Sequence, residues 1–173
     1  ITSVSGRWPG ACHADMARSS LLGACGNAMG SVPLARWTLE AVVDAASLTA
    51  AQMACVQHGG FMDGAELFDS RAFGISQVEA AAMDPQQRLL LEGGYTAVHA
   101  SSRHRAELMG SEGGVFVGIE RPDWALVQPP SARGSVYGAV GENVSAAAGR
   151  LSFVPGLHGP CSGVGTARPA AVA

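Results

Sequence analysis

The stretch AAMDPQQRLLLE, residues 81–92, decides the fold. Asp84 is a good N-cap, Pro85 suits the first helical position, and Gln87 falls at N3, close to a capping box. Beyond the cap, Leu89, Leu90, Ala97 and Val98 lie on one helical apolar face. A helix is therefore predicted over residues 84–102, preceded by a short turn 77–82 that Ser76 can cap. Gly93 and Gly94 interrupt this helix, at a cost of roughly 1 kcal/mol each relative to alanine. Two such glycines predict close packing against another element.

Working outward, GGVFVGI at 113–119 is a β-rich run bounded by glycines and reads as a strand buried on both faces. Residues 121–134 hold three prolines and read as a loop. NVSAAAGRLSFVPGL at 143–157 reads as a buried small-residue helix that Pro155 ends or kinks. PCSGVGTA at 160–167 reads as a short strand and turn, and RPAAVA as the start of a last helix. Towards the N-terminus, residues 65–73 gather Leu67, Phe68 and Phe73 in a small apolar cluster, and GGF at 59–61 starts a turn. Residues 38–55 are helical in propensity. VPLARW at 32–37 is an irregular turn, 15–25 a short helix capped by Asp15, and Ile1–Val4 a short β-prone segment. Strands alternating with helices favour a layered α/β architecture in one domain, residues 1–173.

Composition narrows the function classes. Apolar residues make up 47% of the 173 residues, aromatics only 6%, and net charge is −3. No basic face calls for nucleic acid. All eleven basic residues are arginine, which excludes Schiff-base or P-loop lysine chemistry. Cys12, Cys25, Cys55 and Cys161 form no C-x-x-C pair, so neither a zinc site nor a disulfide framework is expected, and no cofactor. No apolar run is long enough to span a bilayer, and ITSVSGRWPG is not a secretory signal. Both ends read as cut: a strand already under way at Ile1, and a helix just begun at AAVA.

Six segments resemble one family, in order and at about its spacings. They are GRWPGA at 6–11, VPLARW at 32–37, GGFMDGAELFDSRAFGIS at 59–76, AAMDPQQRLLLE at 81–92, GVFVGI at 114–119 and SAAAGRLSFVPGLHGPC at 145–161. They are similar to the N-terminal half of polyketide-type β-ketoacyl synthases. The details of EGGY-x-A-x-HA and SVYGAVGENVSAAAGRLSF are closest in style to single-domain ketosynthases of microalgae such as dinoflagellates. The resemblance implies half of a thiolase-like αβαβα fold and, in the family, a dimer. It also implies a catalytic cysteine after a short strand, at the start of a buried helix. There the helix dipole lowers the thiol pKa and backbone N–H groups hold an oxyanion.

At that string the match fails. The family reads D-T-A-C-S-S-S-L, and the aligned residues are GTARPAAV at 165–172. Arg168 stands at the nucleophile's position, Gly165 at the aspartate's, and Pro169, Ala170 and Ala171 at the serines'. A guanidinium stays protonated and cannot attack an acyl group. The family's two assisting histidines belong to a second half that this sequence does not contain. Cys161, seven positions before Arg168, is a weak surrogate and reads as a small buried core thiol. His158 reads as a surface residue, and His99 and His104 as favourable charge near a helix C-terminus. His13 and His58 have no partner at metal spacing. Asp84, Gln86, Gln87 and Arg88 read as a cap and first turn, with Arg88 in a structural ion pair.

The expectation is therefore a non-catalytic ketosynthase-like protein, a structural or accessory subunit of a larger assembly, with a plastid complex as one host. Its partners would be proteins covering the exposed face of the half-fold, or a second copy in a ketosynthase-type homodimer. The alternative is a fragment of an active polyketide or fatty-acid synthase, condensing acyl and malonyl thioesters with an acyl carrier protein. Plastid and cytoplasm both remain open as its compartment.

Overall fold

The computed structural model describes residues 1–13, 15–38, 44–120, 124, 128, 136–141 and 143–165. The chain divides into two compact units, residues 6–64 and residues 1–5 with 65–173. Arg168 and the predicted last helix lie outside the described residues.

In the 6–64 unit, helix α1 spans Asp15–Gly23. Asp15 lies inside its first turn rather than capping it, and pairs with Arg18 one turn on at 3.3 Å. The Arg18 guanidinium lies over the Trp8 ring, 4.4 Å from its centroid. Strand β1, Gly30–Ser31, pairs antiparallel with β2, His58–Gly59. The sequence predicted a helix over 38–55. Within it the described residues form a 3₁₀ turn, Ala45–Ser47, and helix α2, Ala50–Val56. A complete capping box between Thr49 and Gln52 starts α2 afresh, which the alanine-rich composition does not reveal. Side chains also tie the loops: Arg7 donates to the Gly64 carbonyl and Arg36 to that of Met62, each at 3.1 Å. Among this unit's described residues only Cys12 is buried.

The larger unit carries the decisive helix. Ile1–Val4 forms no strand; Ser3 Oγ donates to the Ala97 carbonyl at 2.6 Å. A 3₁₀ turn, Ser70–Phe73, is capped by Asp69, and Phe73 stacks on Phe68 at 5.3 Å. Leu67, expected in that cluster, is exposed. Ser76 caps helix α3, Gln77–Ala82, and Asp84 caps helix α4, Pro85–Ala100. Short helix α5 is Arg105–Leu108. Then come strand β3, Val115–Ile119; helix α6, Gly138–Gly141; helix α7, Val144–Phe153; and strand β4, Cys161–Gly165. The α7 helix ends two residues before Pro155, as a proline requires.

The buried residues of α4 are Gln87 and Leu91, whereas Leu89, Leu90, Ala97 and Val98 are half-buried, with Leu90 packed against the core. Gln87 is polar, so hydrophobic periodicity alone passes over it. A Cβ at Gly94 would run into the Leu151 side chain of α7, whereas Gly93 faces open space. The predicted close packing thus rests on Gly94 alone.

Strands β3 and β4 are parallel, with Val115 opposite Cys161 and Ile119 opposite Gly165. Helix α7 is the crossover between them, the connection a parallel pair needs. Val117 and Ile119 pack on Ala147 and Ala148, with Leu90, Val115 and Leu151 around them. The expectation that β3 is buried on both faces is corrected. Only the side facing α7 is covered; Phe116 on the other side is 74% exposed and Val164 of β4 54%. No second layer covers that face among the described residues, so burial alternates along β3.

Candidate functional site

The candidate site lies where β4 leads out of the sheet. Two elements aim this strand. Helix α7 supports it from below, and an Arg150–Glu79 ion pair of 2.7 Å, largely shielded from solvent, ties α7 to α3. The turn before β4 is held tightly as well. The His158 N–H donates to the Ser111 carbonyl at 2.8 Å, and Val115 N–H to that of Pro160 at 2.8 Å. Between them, Gly159 passes so close to the carbonyls of Glu112 and Gly113 that a Cβ would collide with both. Backbone cannot yield as a side-chain tip can, so glycine is required here.

Cys161 opens β4 opposite Val115 and is exposed, which corrects the expectation of a buried core thiol. The cause is the missing cover: β4 has one neighbouring strand and one supporting helix among the described residues. His158 is exposed in its turn. His99 and His104 lie at the end of α4 and the cap of α5. Their rings are in edge contact at 6.1 Å, and His99 also meets Tyr95. His58 takes a hydrogen bond with the Ala54 carbonyl at 3.0 Å. His13 is exposed. Among the described residues no group of three His, Cys, Asp or Glu side chains could hold a metal ion.

The cluster at the start of α4 is a buried brace. Asp84 and Gln87 are each 2% exposed. Asp84 accepts from Gln86 N–H at 2.7 Å, while the Gln87 amide donates to the carbonyls of Gly141 and Asn143. Gln86 reaches the Glu120 carbonyl. Trp124 and Gln128, which sequence reasoning placed in a proline-rich loop, complete the brace. Both donate to the Ala81 carbonyl, at 3.3 and 3.0 Å. Their i,i+4 spacing, with Gln128 N–H donating to the Trp124 carbonyl, is the signal that could have found them. The Arg88 guanidinium lies 5.3 Å from the Trp124 ring centroid. Burial pulls its pKa below the ordinary value, and the charges of Asp84 and Glu92 oppose that pull.

This geometry can hold the strand end at Gly165 firmly. The profile of "Beta-ketoacyl synthase, N-terminal domain" matches residues 1–172. The chain is 36% identical over 168 residues to a mycocerosic acid synthase-like polyketide synthase of Mycolicibacterium smegmatis, covering 96% of this chain and 8% of that protein. It is 38% identical over 173 residues to polyketide synthase GfsA of Streptomyces halstedii, covering 96% of this chain and 2% of that one. Among solved structures, an oxazolomycin ketosynthase domain of Streptomyces albus superposes with a TM-score of 0.78 at 27% identity, over 96% of this chain and 29% of that one. A ketosynthase from module 6 of the Bacillus subtilis bacillaene synthase gives 0.71 at 27%, over 94% and 25%. The fold is thus that of the N-terminal half of thiolase-like ketosynthases. The chain belongs to the β-ketoacyl synthase family, whose N-terminal domain it carries in polyketide-type form.

Proposed function

We propose that this chain is part of a polyketide-type β-ketoacyl synthase that joins an acyl thioester to a malonyl unit, with the acyl group taken up at the residues that follow β4. One observation carries the reading: the family likeness runs through residues 1–172, across the whole β3–α7–β4 unit and beyond it. The chain spans only 2–8% of the cited polyketide synthases and 25–29% of the cited ketosynthase chains. Condensation, its substrates and an acyl carrier protein therefore belong to the whole protein. There, a cysteine thiolate would attack the thioester carbonyl and release the carrier thiol. A helix N-terminus behind it would stabilise both thiolate and oxyanion.

A second reading rests on Arg168. As the sequence stands, no nucleophile occupies the family's position, which favours a ketosynthase-like subunit without condensing activity. Its partner would be a second copy or another protein, docked on the uncovered side of β3 and β4.

Transcript sequencing through the codons for Gly165–Ala173 and beyond separates the two, together with incubation of the full-length protein with a radiolabelled acyl thioester. The condensing reading expects the D-T-A-C string, later histidines and stable label on the protein. An in-frame arginine codon at position 168 and no label would sink it and leave the non-catalytic subunit.

A further inference from the structure

We draw no further inference here: the strongest candidate, the row of exposed and half-buried rings from Phe73 through Tyr95 and His99 to His104 along α4, is an unpartnered surface patch, and nothing in the structure shows what covers it.

Discussion

Single residues on this chain are constrained by backbone geometry as much as by chemistry. Ser102 follows the C-cap of α4 with φ of +59°, in the left-handed region that glycine occupies without strain. Ser102→Gly removes that strain but gives the unfolded chain more freedom, so the net gain should be modest, roughly 0.5 kcal/mol. Urea unfolding should show a higher midpoint at unchanged slope. A lower midpoint would mean that the serine side chain stabilises the turn. The cap at the other end of α4 was readable from Asp84, Pro85 and Gln87, because capping is local chemistry. The burial of Gln87 was not. A glutamine enters a core only when its amide is satisfied, and the carbonyls that satisfy it, Gly141 and Asn143, are more than fifty residues away.

At the scale of elements, the support of β4 depends on contacts between helices. The Arg150–Glu79 pair joins α7 to α3 with side chains only 17% and 23% exposed. A double-mutant cycle of Arg150→Gln and Glu79→Gln should give a coupling of about 1–2 kcal/mol, above the ~0.5 kcal/mol of exposed pairs. A coupling near zero would show that solvent screens the pair despite its burial. Strand periodicity also illustrates what a sequence withholds. GVFVGI is apolar enough to be covered on both faces, yet Phe116 faces solvent. Phe116→Ser should therefore change the unfolding free energy by less than about 0.5 kcal/mol while lowering binding of an apolar dye. A large loss of stability would place Phe116 in a core.

Across the whole molecule, burial is unevenly distributed. Cys12 alone is buried among the described residues of 6–64, whereas β3, α4 and α7 share a contiguous core. Native-state hydrogen exchange should then find the lowest protection in α1 and α2 and the highest in β3 and α7. Equal protection across both units would require stabilising interactions in 6–64 that its burial pattern does not contain.

The sequence by itself determined the family, the caps of α3 and α4 and the strand–helix–strand order, and it puts an arginine at position 168. All of these reside in local chemistry or in ordered motifs along the chain. Only the tertiary structure decided that Gln87 is buried on α4 and Gly94 packs close to Leu151, that Trp124 and Gln128 brace the start of α4, that Cys161 is exposed, and that one face of β3 and β4 has no cover among the described residues. Each of these depends on which distant segment comes close, and neither periodicity nor propensity encodes that. Arg168, three residues beyond β4, is legible only in the sequence.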